Sequence, residues 1–168
     1  MSLPKVGDRL QPALLDRLRD DEPANPSEAP EQRVVNRQRL REAVLRDLSW
    51  LFNATRLAVD SPLEAYPQVR QSVLNYGLPS LSGLTLSSLD MVSLELEVRR
   101  AIIDFEPRIL ADTLRVAAEV SDDQLHQHNQ ISFRISGQMW AQPVPLELLL
   151  HTDIDLETGR VNVRELLR

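Results

Sequence analysis

The hydrophobic pattern of this chain changes period once, and the change falls at Glu106-Pro107-Arg108. Upstream of it, Met91, Leu94, Val98, Ile102 and Phe105 recur at helical spacing. Leu89, Val92, Leu96 and Ile103 widen the stripe into the broad apolar face of a central core helix. Pro107 disfavours helix at Glu106, so that helix stops there. Downstream the period is two. Leu114, Val116, Ala118 and Val120 alternate with polar residues, as do Ile131, Phe133 and Ile135, then Leu146, Leu148, Leu150, Ile154 and Leu156. A turn at Glu157-Thr158-Gly159 precedes a short last strand at Val161-Asn162-Val163. Helices first and strands second predict an α+β fold, with N-terminal helices packed on a C-terminal antiparallel β-meander, polar on one side.

The earlier segments fit that plan. Leu10, Leu14, Leu15 and Leu18 predict a short helix, followed by a proline- and acid-rich linker over 20–30. Residues 1–30 therefore read as a helix and flexible linker, and 31–168 as a single α+β domain. A second helix is expected over 31–52, with Val34, Val44, Leu45, Leu48, Leu51 and Phe52 on its apolar face. A third is expected over 66–76, with Pro67 in its first turn, Val69 and Val73 facing inward, and Gly77 as the left-handed residue after its end. Ser87 is placed to cap the long helix, with Asp90 completing a capping box. Glu95 with Arg99, and Arg100 with Asp104, are spaced to pair along it.

Charge narrows the function classes. The net charge of −6 argues against nucleic-acid binding through a general positive field. There are no cysteines, which excludes disulfides, thiolate metal sites and cysteine nucleophiles, and fits a cytoplasmic location. The N-terminus has no apolar run of the signal-peptide kind, and no stretch approaches the length of a membrane span.

Chemistry-bearing patterns are sparse. His126 and His128 lie in a polar turn beside Asp122 and Asp123, where a solvated hairpin accounts for them better than a metal site; the other histidine is His151. Ser136 before Gly137 lacks the surroundings of a nucleophile, and no phosphate-cradling glycine loop is present. No cofactor is expected. Asp104 and Glu106, flanking Phe105, form the best carboxylate pair, and a peptidoglycan hydrolase using them is the alternative reading. Arg33, Arg37 and Arg41 share a helix face, diluted by Glu42 and Asp47. That face reads as solvated surface or as a docking stripe for an acidic partner, a nucleic-acid adaptor role being a weaker third reading.

The corner itself has two readings. In one, Pro107 only ends the helix, and Glu106 and Arg108 make surface ion pairs of little worth. In the other, a rigid corner offers a fixed acid and the planar fork of a guanidinium to a partner.

A wider pattern bears on that choice. Asn75-Tyr76-Gly77-Leu78-Pro79-Ser80-Leu81-Ser82-Gly83, the apolar helix, and Arg99-Arg100-Ala101-Ile102-Ile103-Asp104-Phe105-Glu106-Pro107-Arg108-Ile109 together resemble the TssE family. Leu51-Phe52-Asn53 and the strand-rich C-terminal third join the resemblance, which covers roughly 31–168. TssE proteins are baseplate subunits of bacterial type VI secretion systems, similar to the wedge protein of contractile phage tails and often labelled "lysozyme-like". The resemblance implies a structural, non-enzymatic subunit in the cytoplasmic, membrane-docked baseplate. Its implied partners are the wedge subunits TssF and TssG, the sheath subunits TssB and TssC, and the inner tube. Glu106, Pro107 and Arg108 match the family's Glu-Pro-Arg motif, implicated in contacts with the helical core bundle of the wedge, and Arg100 stands beside them as a partner-binding residue. The sheet is implied to template the first sheath ring by strand addition, through an edge within 146–163.

Overall fold

Among the described residues, alternation and helical spacing resolve into four α-helices followed by four strands. The structure, a computed structural model, describes residues 13–18, 37–57, 63–85, 88–119, 130–141 and 143–166. The helices are α1 (Leu14–Leu18), α2 (Arg37–Asn53), α3 (Pro67–Arg70) and α4 (Met91–Phe105). The strands are β1 (Arg115–Glu119), β2 (Gln130–Met139), β3 (Leu146–Asp155) and β4 (Val161–Glu165). They form one antiparallel sheet in the order β1-β2-β3-β4, the meander that the period-two pattern implies. The expected turn over 121–129, the linker over 20–30 and the start of the second helix over 31–36 lie outside the described residues.

Side-chain alternation puts one face of the sheet in the core. Phe133 stands opposite Thr152, Ile135 opposite Leu150, Ile131 opposite Ile154 and Met139 opposite Leu146. All of these are buried, and α2 and α4 cover them with Leu40, Val44, Leu48, Leu51, Leu94, Val98 and Ile102. Burial of this apolar surface is the main drive for folding, at about 25 cal/mol per Å².

The other face is polar and laced with ion pairs. Asp153 on β3 accepts from Ser132 Oγ at 2.7 Å, meets His151 Nε2 at 2.9 Å and pairs with Arg164 of β4 at 2.5 Å. His151 Nδ1 lies 3.2 Å from Glu119 of β1, which also pairs with Arg134 of β2. Burial pushes the Asp153 carboxyl up, but the Ser132 hydrogen bond and the charges of His151 and Arg164 outweigh it, so it sits below its ordinary value. A carboxylate depressed on folding stabilises the fold fully above its unfolded value of about 3.9, and that contribution fades as pH falls through the folded value. Asp153→Asn should therefore cost about 1–2 kcal/mol at neutral pH. In urea titrations the gap to the wild type should close as pH drops below about 4; a gap independent of pH contradicts the ionised role.

The helical half departs from expectation in several places. The long helix is capped by Asp90, whose side chain accepts from the Val92 N–H at 3.1 Å and from Ser93 Oγ at 2.6 Å. Ser87 lies outside the described residues. Its apolar face is also narrower than the sequence suggests, since Val92 and Leu96 are exposed and the buried stripe is Leu94, Val98, Ala101 and Ile102. Arg100 and Asp104 do pair, at 4.0 Å. Glu95 and Arg99 instead reach out to the sheet. Glu95 accepts from the Ala118 N–H at 2.7 Å, and Arg99 donates to the carbonyls of Ala111 and Leu114. Both cover backbone groups at or just before the outer strand β1, where a free ladder edge invites unwanted pairing.

The expected helix over 66–76 is a single α-turn, α3, followed by a 3-10 turn over Val73–Asn75. Ser72 breaks it, because its hydroxyl accepts from the Leu74 N–H, and Asn75 turns back to donate to the Arg70 carbonyl at 2.9 Å. Local side-chain bonds of this kind compete with helix. As a result Val73 faces solvent, 80% exposed, not the core.

Candidate functional site

The end of α4 and the turn that follows it set the corner beside α2. The α4 helix ends at Phe105, and Glu106 closes it through an N–H bond to the Ile102 carbonyl at 2.8 Å. Pro107 and Arg108 then turn the chain, with Ile109 N–H returning to the Glu106 carbonyl at 3.1 Å. The segment after the turn is stitched to the end of β2. Trp140 N–H donates to the Arg108 carbonyl at 2.7 Å, and Leu110 N–H to the Gln138 carbonyl at 2.8 Å. The corner is thus fixed to the helix on one side and to the sheet on the other.

Glu106 is only 3% exposed. Its Oε1 accepts from Arg108 Nε at 2.6 Å and from the Arg108 backbone N–H at 3.2 Å, and its Oε2 from Arg108 Nη2 at 2.5 Å. The same Nη2 reaches Asp47 Oδ2 on α2 at 2.5 Å. Asp47 in turn accepts from Arg46 Nε at 3.0 Å, and Arg46 pairs with Asp16 of α1. An alternating chain of charge therefore runs Glu106–Arg108–Asp47–Arg46–Asp16, linking the corner to α2 and α1.

The electrostatics follow from that chain. Burial pulls the Arg108 guanidinium down, but its hydrogen bonds and charge attraction to Glu106, and then to Asp47, hold it above its ordinary value. Arg46 is raised as well, chiefly by its hydrogen bond to Asp16. Tyr76 is raised by burial and by the charges of Asp47 and Glu106.

Beside the corner lies a cleft of about 420 Å³ with mostly apolar walls. It is lined by Asp47, Trp50 and Leu51 of α2, by Tyr76, by Phe105, Glu106, Pro107 and Arg108 at the corner, and by Ala13 and Leu15. Tyr76 meets Phe105 edge-on with ring centroids 5.2 Å apart, and the Arg46 guanidinium lies over the Trp50 ring at 5.1 Å. Trp50 is 51% exposed, a large aromatic only half covered.

This geometry changes the picture of the motif. Glu106 and Arg108 do not form a surface ion pair, because the acid is buried beneath the guanidinium that binds it. Nor do Asp104 and Glu106 stand as an acid/base pair: both oxygens of Glu106 accept from Arg108, and Asp104 faces Arg100. Glu106, Pro107 and Arg108 line the cleft, whereas Arg100 is not among the described residues that do.

Other candidate residues are dispersed. Arg41 pairs with Glu165 of β4 and donates to the Glu147 carbonyl at 3.0 Å, so it ties α2 to the sheet and does not stand free on a basic stripe. Arg33, His126 and His128 lie outside the described residues. Among the described residues, no group of three or more His, Cys, Asp or Glu side chains is placed to hold a metal ion.

Sequence reasoning missed Asp47, Trp50, Tyr76 and Phe105 as site residues. Asp47 carried a signal: it falls three residues after Val44 and four before Leu51, on the buried side of α2, where an acid needs a partner.

A protein-family model, that of baseplate wedge protein gp25, matches residues 38–144. The chain belongs to the gp25 baseplate wedge family. The match takes in nearly all of α2, α4, the corner and the first two strands, and with them every described residue that lines the cleft except Ala13 and Leu15. No curated protein and no solved structure matches the chain. Among the described residues, no helix is long and apolar enough to cross a membrane.

Proposed function

We propose that this gp25-family chain is a structural baseplate subunit of a type VI contractile injection system, which docks on the wedge core through the Glu106-Pro107-Arg108 corner. The observation that carries this is the fixed corner beside an aromatic-lined cleft that α1 lines but does not fill: Pro107 is exposed, Arg108 is held by two carboxylates, and Trp50 is half exposed. Exposed aromatics and oriented arginines are the anchors that protein interfaces favour. In this reading the cleft meets the core formed by TssF and TssG, and Arg100 contributes from the neighbouring surface of α4.

The sheet supplies the second half of the role, a template for the sheath subunits TssB and TssC beside the inner tube. The outer strand β4 supports it, because one edge pairs with β3 and the other points away from the sheet. Asn53 at the end of α2 already pairs with Val161 there, donating to its carbonyl at 2.8 Å and accepting from its N–H at 3.0 Å. Strand addition at this edge begins beyond that residue or displaces Asn53.

The test is sheath assembly in cells carrying Glu106→Ala, Arg108→Ala or Arg108→Lys, with protein levels measured alongside. The expected result is that sheaths are lost in all three, including Arg108→Lys, which keeps the charge and removes the fork. Normal sheaths in all three at normal protein levels would overturn the docking role.

A further inference from the structure

The N-terminal helix α1 stands beside the cleft at the corner. Leu15, and Ala13 just before the helix, line the cleft, and Asp16 joins the charge chain through Arg46. Yet this cover is slight. The α1 helix has five residues, far below the length at which an isolated helix is stable. Leu15 is 50% exposed and Leu18 is 74% exposed, so little apolar surface holds the helix down. The Asp16–Arg46 pair is itself partly exposed, and pairs of that kind contribute about 1 kcal/mol at most.

The charge chain beneath α1 is also incompletely used. Among the described residues, Arg46 Nη2 and Arg108 Nη1 are buried and have no hydrogen-bond partner. Each belongs to a guanidinium already bound to acids, and each retains a donor that α1, with Asp16 placed on Arg46, does not fill. A buried donor left unpaired is costly, and an incoming carboxylate removes that cost.

We propose that α1 is an in-cis cover of the docking cleft, displaced when a partner's acidic amphipathic helix takes its place. The occupant has the chemistry that Leu15 and Asp16 now display, an aliphatic side chain next to a carboxylate. It is longer than α1 and carries a second acid to complete the arginine donors. Covalent attachment to α2 gives α1 a high local concentration, on the order of millimolar for a short connection. A weak helix can therefore cover the cleft in the free chain and still yield to a partner with more contacts. The cover lowers the apparent affinity of the partner by the fraction of time that the cleft is closed. This inference rests on the reading of the corner as the docking site.

The experiment uses the full-length chain with Asp16→Arg and, separately, Leu15→Asp. The two substitutions alter net charge in opposite directions, so a shared effect does not come from long-range charge. Binding to the purified wedge-core complex of TssF and TssG is measured for each, with Arg108→Lys as control. Trp50 emission, read in a Trp140→Phe background, reports the cover. Both α1 variants should bind about three- to tenfold more tightly than the wild type and shift Trp50 emission to the red. Unchanged or weaker binding by both, with Arg108→Lys binding lost, removes the cover and leaves the docking corner standing. Wild-type binding by Arg108→Lys removes the docking reading and the cover with it.

Discussion

Arg108→Ala should lower the unfolding free energy by about 3–5 kcal/mol, because it strands the Glu106 carboxylate in a buried site. Glu106 has Arg108 on both of its oxygens, and Asp47 loses the same guanidinium at the same time. The double variant Glu106→Ala with Arg108→Ala should be less damaged than Arg108→Ala alone, since no buried charge is then left behind at the corner. Guanidinium chloride unfolding of the wild type, both single variants and the double variant measures this. A cost below about 1 kcal/mol for Arg108→Ala would mean that the pair behaves as an exposed one. The size of the effect matters for any functional assay, because a chain weakened by several kcal/mol loses abundance as well as contacts. Arg108→Lys, or substitution of the exposed Pro107, separates docking from folding better than alanine at Arg108.

Gly77→Ala should be comparably severe, at about 3 kcal/mol or more. Its φ of +119° is a conformation that side chains rarely adopt, and an added Cβ would lie 2.3 Å from the Ala54 carbonyl oxygen. That carbonyl cannot retreat, because it accepts from the Leu78 N–H at 2.9 Å, while the Arg56 N–H donates to the Leu78 carbonyl at 2.9 Å. The paired segments Thr55 and Leu78 fasten the end of α2 to the loop that carries Tyr76 into the cleft. Gly83→Ala is the comparison. Its φ is +81°, but nothing lies within 4 Å of the added Cβ, so only the backbone strain remains, about 1 kcal/mol. Thermal melts of the two variants decide the matter, and equal losses would show that the close approach at Gly77 costs nothing.

The fold was legible where period and punctuation agree. Pro107 stops α4 because it acts through local sterics, and the period-two runs become neighbouring strands because each needs one buried face. Legibility failed where side chains act at a distance. Glu95 and Arg99 have ideal spacing for a helix pair, yet backbone groups around β1 compete for both and win. Residues 66–76 read as helix until Ser72 and Asn75 bond to the nearby backbone, which no periodicity records. Gly77 was placed correctly at positive φ, although its main constraint is a strand-like neighbour twenty-odd residues away in sequence.

The site followed the same division. Glu106, Pro107 and Arg108 were visible as a local corner, and their resemblance to a known motif pointed to docking. The partner of that corner, Asp47, sits on another helix, where the sequence alone shows it as a diluting charge on a basic stripe. Only the packing of α2 against the end of α4 brings it to Arg108. Trp50 carries no signal in the sequence, and Tyr76 enters only as part of the family pattern; both come to line the cleft through that packing.

The corner's docking role is tested most directly by the affinity of the TssF–TssG complex for full-length chains carrying Pro107→Glu or Arg100→Glu. Both positions are exposed, so the fold and the Glu106–Arg108–Asp47 chain stay in place, as unfolding curves recorded on the same samples will show. The expected result is that Pro107→Glu weakens binding by about tenfold or more, the scale of losing one anchor contact in an interface, with a smaller loss for Arg100→Glu. Wild-type affinity for both, in chains as stable as the wild type, would contradict a docking corner at the end of α4.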